Sequence, residues 1–125
     1  MSEAASCSCS VGPRLIFACS GAADVGEVAD RAARQLSRSG VGQMYCLSAV
    51  ASGNPAPLEK TRAASAILAI DACPAACASM VLKKAGFTDF QRVQLAELGL
   101  EKGCSPATQE NIDSVVAAAR RVLQP

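Results

Sequence analysis

Short, uninterrupted apolar runs alternate along this chain with longer stretches whose apolar residues recur every three or four positions. Arg14-Leu15-Ile16-Phe17-Ala18-Cys19 is the first such run, and Ser20-Gly21 breaks it. Its lack of alternation predicts a strand buried on both faces. From Asp24 to Ser39 the period changes to that of a helix. Val25, Val28, Ala29, Ala32, Ala33 and Leu36 form one stripe, and Arg31, Arg34, Gln35 and Arg38 lie opposite. Asp24 with Glu27 three residues on reads as a capping box, and Gly40 as the stop. Gln43 to Leu47 reads as a second strand, Ser52 to Pro57 as a loop, and Leu58 to Ser65 as a short helix. Ala66 to Asp71 is the clearest buried strand. Cys73-Pro74 then reads as the opening of a helix with Pro in its first turn, ending at Lys83-Lys84-Ala85-Gly86. Phe90 to Leu95 is expected to be a fourth strand, and a final helix is expected from Ser105-Pro106, its face lined by Ile112, Val115, Val116, Ala119, Val122 and Leu123. Strands alternating with helices predict a three-layer α/β domain with a small, mostly parallel sheet flanked by helices.

The composition suits that class. Half the residues are hydrophobic but only 3% are aromatic and Trp is absent, so Ala, Val, Leu and Ile must build the core. Twelve Lys and Arg against eleven Asp and Glu give a net charge of +1, which offers no footprint for nucleic acid or an anionic membrane. Residues 1–13 are small and polar and read as a flexible tail preceding a single domain at 14–125. They lack the basic start and apolar run of a signal peptide, and nothing approaches the ~20 apolar residues of a membrane span. The expected location is cytoplasmic.

Seven cysteines accompany this composition, and there is no histidine. An odd number without a signal peptide favours thiolate chemistry over disulfides. Without histidine, Cys–His dyads and mixed Cys/His zinc sites are excluded. Cys19, Cys46 and Cys73 are spaced by 27 residues, about one βα unit, and each falls at or near a predicted strand end. In a parallel sheet those ends share one edge, where open α/β folds place their ligands. Cys77, expected one helical turn beyond Cys73, completes a candidate set of four soft ligands for a tetrahedral ion such as zinc. An iron–sulfur cluster is the other occupant four cysteines suit.

Phe17-Ala18-Cys19-Ser20-Gly21, Asp24-Val25-Gly26, Met44-Tyr45-Cys46-Leu47 and Ile70-Asp71-Ala72-Cys73-Pro74-Ala75-Ala76-Cys77 resemble, in that order, the motifs of the DGC-domain family of zinc-binding proteins. The resemblance runs from about residue 14 to residue 90. It implies four chelating cysteines, matching Cys19, Cys46, Cys73 and Cys77 one by one, and it supplies no reaction. The family is named for an Asp-Gly-Cys tripeptide, and Ala72 stands here in place of the glycine. A position needing φ > 0 would be strained by that change.

A second class of function uses the same thiols. Cys73 at a helix N-terminus would be a stabilised thiolate, so a thiol-dependent redox or sulfur/metal-transfer enzyme would attack with Cys73 and resolve with Cys77. Cys7 and Cys9 are tail residues in the first reading and carriers of reducing equivalents in the second, while Cys104 reads as a spare thiol. Ser20-Gly21 lacks the Lys of a P-loop and the third glycine of a dinucleotide fingerprint, and reads as a turn. Asp71 is expected to cap the helix that follows it. The reading favoured is one metal ion, zinc, held at the carboxyl edge of the sheet.

Overall fold

The computed structural model describes residues 12–124; the tail expected at 1–13, with Cys7 and Cys9, falls almost wholly outside them. The apolar runs pair into one four-stranded sheet. Its strands are β1 (Arg14–Ala18), β2 (Gln43–Met44), β3 (Ala66–Asp71) and β4 (Gln91–Gln94), in the order β2-β1-β3-β4. Every pairing is parallel, with Ile16 opposite Met44, Ala18 opposite Ile70 and Asp71 opposite Gln94.

Helices cover both faces, as the runs buried on both sides require. Ile16, Ala18, Leu68 and Ile70 pack against α1 (Asp24–Arg38) and α5 (Gln109–Leu123). On the opposite face Leu15, Phe17, Ile67 and Ala69 meet α2 (Leu47–Ala51), α4 (Cys77–Lys84) and Leu58 of α3 (Pro55–Arg62). Phe17 is fully buried, with Tyr45 edge-on at 6.0 Å between ring centroids. A buried Phe contributes about 1.5–3 kcal/mol of burial, whereas each exposed ion pair on α1 (Glu27–Arg31 at 2.8 Å, Asp30–Arg34 at 2.7 Å) adds only tenths. Packing therefore holds this fold. Among the described residues no helix is long and apolar enough to cross a membrane.

Several boundaries differ from the expectation. The second strand stops at Met44 and turns directly into α2, because the edge strand needs only two residues of pairing before Tyr45 donates to the Ile16 carbonyl at 2.9 Å. The helix after it begins at Pro55, since Pro tolerates a first turn, and ends at Arg62. The fourth strand gives way to a 3₁₀ turn, Leu95–Leu98, closed by Gly99 with φ 83°. The last helix begins at Gln109 rather than Ser105, where Thr108 accepts from the Asn111 N–H at 3.2 Å. Nor does Asp24 cap α1. Ala23 occupies that position without a side-chain bond, and Glu27 turns to Arg31 instead.

The Asp24 carboxylate is engaged elsewhere. It accepts from the N–H groups of Gly103 at 2.9 Å, Ser105 at 3.0 Å and Val25 at 2.8 Å, tying the start of α1 to the loop before α5. The Gly103 and Ser105 bonds hold its carboxyl below the usual range. A depressed folded-state value means the stabilisation is fully present above the unfolded carboxylate pKa and is lost as pH falls through the folded one. Asp24→Asn is therefore expected to unfold at lower urea concentration than the parent at pH 7. The gap should close as pH drops below about 4, and a gap independent of pH would show that the carboxylate charge is not what matters.

Candidate functional site

The chain leaves β1 onto one face of the sheet through α1 and leaves β3 onto the other through α4. Between adjacent parallel strands whose connections diverge, a crevice opens beyond the carboxyl ends. Cys19 and Cys73 flank it. Cys19 follows β1 directly, its N–H donating to the Ile70 carbonyl at 3.0 Å, and Cys73 lies two residues past β3. Both are half-buried. Cys46 follows β2 by two residues, on the next strand over, and is exposed at the start of α2. Three of the predicted cysteines therefore sit beyond three neighbouring strands, each about 4.8 Å from the next.

Cys77 completes the group differently from the expectation. The segment after Cys73 is a turn, in which Ala76 N–H donates to the Cys73 carbonyl at 2.9 Å, and α4 begins at Cys77. Pro74 thus belongs to the turn and not to the helix. Cys73 is not at a helix N-terminus, which removes the reason for assigning it the attacking role. The first helical thiol is Cys77, and it is exposed. Among the described residues no three His, Cys, Asp or Glu side chains converge closely enough to hold an ion. The backbone gathers the donors at one edge, where Cys46 and Cys77 are exposed. The donor set suits a soft divalent ion, and holding one requires the thiols to draw closer together than they stand.

The thiol of Cys46 is drawn below its usual range by the hydroxyl of Ser48, 3.1 Å away, and by the N–H of Ala49. Cys104 stands apart, exposed in the loop before α5.

The sequence matches the DGC domain over residues 15–119. The chain belongs to the DGC-domain family. It is also 32% identical over 88 residues to the anaerobic and virulence modulator AnvM of Pseudomonas aeruginosa, covering 70% of this chain and 67% of that protein. No solved structure matches it.

In this DGC domain the substituted glycine of the eponymous tripeptide causes no strain. Ala72 does not have positive φ, and its side chain is buried among the apolar residues under α1 and α5. Strain falls instead at Ala76, the one described non-glycine residue in the left-handed region, with φ 54° and ψ 48° immediately before Cys77. That conformation costs an L-residue about 1–2 kcal/mol. Beside the crevice, packing does demand a glycine at Gly26. A Cβ there would lie 2.4 Å from the Gly21 carbonyl, so α1 presses on the backbone of the turn carrying Cys19.

Asp71 anchors the other side of the crevice. It is fully buried, and its oxygens accept from the Ser79 N–H at 3.0 Å, the Ser79 hydroxyl at 2.5 Å and Arg92 Nε at 3.3 Å. The carboxylate thus satisfies an N–H in the first turn of α4, the capping role expected of it. Ser79 and Arg92 were not legible as its partners; the signal was an acid ending an otherwise apolar strand.

Two stability outcomes follow. Ala76→Gly should raise the unfolding free energy by about 1 kcal/mol in urea titrations, and no change would mean the turn does not hold its strained form in solution. Asp71→Asn should lower it by about 2 kcal/mol, because charge-assisted bonds to a buried group are lost. A neutral effect would show that α4 is held to β3 by packing alone.

Proposed function

We propose that this chain is a zinc-binding regulatory protein that holds one ion through the thiolates of Cys19, Cys46, Cys73 and Cys77. The observation carrying the proposal is that Cys19, Cys46 and Cys73 follow three adjacent parallel strands at one sheet edge, with Cys77 opening the next helix. Membership of the DGC-domain family supports it. The absence of histidine leaves sulfur as the soft donor available. Zinc bound by four thiolates is a closed site, which lends folding energy rather than Lewis-acid chemistry. Each thiol must be deprotonated to bind, so this role belongs to a reducing location such as the cytoplasm. The Pseudomonas relative is named as a modulator, and a modulatory role is proposed here by that likeness.

A second reading, thiol-dependent redox or sulfur transfer, draws on one feature. Cys46 is exposed and opens onto a cleft, so the attacking thiol of that reading becomes Cys46 rather than Cys73, with Cys77 exposed as well.

Elemental analysis of protein purified anaerobically under reductant, paired with a free-thiol count, separates the two. The zinc reading expects about one zinc per chain and four thiols shielded until a chelator is added. Serine at any one of the four positions should empty the site, and Cys104→Ser should leave it loaded. Iron with inorganic sulfide would replace zinc by a cluster. No metal, with all seven cysteines titrating freely, would overturn the metal reading.

A further inference from the structure

Beside the cysteine edge lies a cleft of about 690 Å³ between α1 and the turn from β2 to α2. This is within the size range of small-molecule sites. Its rim carries Arg34 and Arg38, one helical turn apart on α1, and Cys46 and Ser48 face them from the other wall. The one acid in the cleft is already satisfied. Asp30 accepts from Ser20 Oγ at 2.8 Å and from Arg34 Nε at 2.7 Å. No carboxylate among the described residues pairs with Arg38. Among the described residues, the cleft therefore has a net positive rim, where Arg38 and the outer nitrogens of Arg34 offer guanidinium N–H groups that no carboxylate takes. Its floor is apolar, formed by Ala18, Met44 and Leu47.

We infer that this cleft binds a small organic carboxylate, which Arg38 and the outer nitrogens of Arg34 hold by its oxygens with its carbon skeleton on Met44 and Leu47, beside the thiol of Cys46. A planar guanidinium suits a carboxylate fork, and the apolar floor distinguishes an organic acid from a bare inorganic anion. The site needs no metal and goes beyond the zinc reading. It makes the edge bearing Cys46 a place where an acidic metabolite can meet the cysteine group.

Paired alkylation kinetics on the full-length, metal-free, reduced protein test this. Iodoacetate and iodoacetamide deliver nearly the same carbon to the same thiolate, one with a carboxylate and one without. Their rate ratio at a given cysteine cancels the thiolate fraction and reports attraction for the anion. The ratio at Cys46 should exceed that at Cys104 by roughly five- to tenfold at low salt. Arg38→Gln, an exposed helical position, should bring the two ratios together with the circular dichroism spectrum unchanged. Succinate should slow carboxymethylation of Cys46 saturably in the parent and not in Arg38→Gln. Equal ratios at Cys46 and Cys104 would overturn the inference, as would a Cys46 preference that survives Arg38→Gln. Protection by inorganic phosphate at least as strong as by succinate would overturn the carboxylate assignment. Because no metal is present in the assay, failure here leaves the zinc reading standing, and an empty metal site leaves this one standing.

Discussion

A buried carboxylate at the end of the central strand β3 is the constraint on which this edge of the molecule depends. An ionised acid removed from water costs several kcal/mol unless its oxygens are occupied. Asp71 is fully buried, and its donors come from two other elements: the first turn of α4 through Ser79, and β4 through Arg92. One group thereby fixes where α4 starts and how β4 sits beside β3. Gln94 adds a second tie, its Nε2 donating to the Cys73 carbonyl at 3.2 Å. The turn bearing Cys73 is thus braced from both of its flanks. An apolar residue at position 71 would pack in the sheet but would leave the first turn of α4 without this partner.

On the neighbouring strand the corresponding constraint is steric. The first turn of α1 lies so close to Gly21 that only a hydrogen fits on Gly26. That contact holds the turn after β1 and with it Cys19, whose N–H is bonded to β3. The two cysteines at the topological switch are therefore positioned by different means, one by buried charge and hydrogen bonds and one by backbone contact. Both means are stiff, and neither uses the sulfur. Cys19 also packs against the apolar cores on both faces of the sheet, so its place is fixed by its surroundings as well as by its backbone.

Strand and helix periodicity made the architecture legible. β1 and β3 are apolar without alternation because helices cover both faces, and α1 carries its stripe where it packs. Boundaries were less legible, and the reason is local. From Met44 to Leu47 the apolar run is continuous, so nothing in the residue types marks the change from strand to α2; the change is set by the short edge pairing with β1. Cys73-Pro74 carries a helix-start signal, yet the carboxylate of Asp71 reaches Ser79 and places the first turn at Cys77. The parallel edge that gathers the cysteines followed from the strand–helix alternation. The exposure of Cys46 and Cys77 did not, since burial at a turn depends on contacts remote in sequence. Arg34 and Arg38 fell on the face of α1 opposite its apolar stripe with no sign of a site, because the wall opposite them comes from a turn whose position no local pattern encodes.

The split among the four thiols bears on how tightly an ion would be held. Cys19 and Cys73 stand on braced backbone, whereas Cys46 and Cys77 are exposed at the starts of helices. Bringing Cys46 inward gives up its contact with Ser48, worth about 1 kcal/mol. The left-handed Ala76 before Cys77 already stores about 1–2 kcal/mol in that turn. Structural zinc sites contribute about 10–16 kcal/mol, so neither term opposes loading by an amount that decides it. What the split changes is order. The two braced thiols would define where an ion sits, and the two exposed ones would be the first that an approaching ion or organic acid meets. Cys46, which lines the positive cleft, is the thiol at which those two proposed encounters would compete.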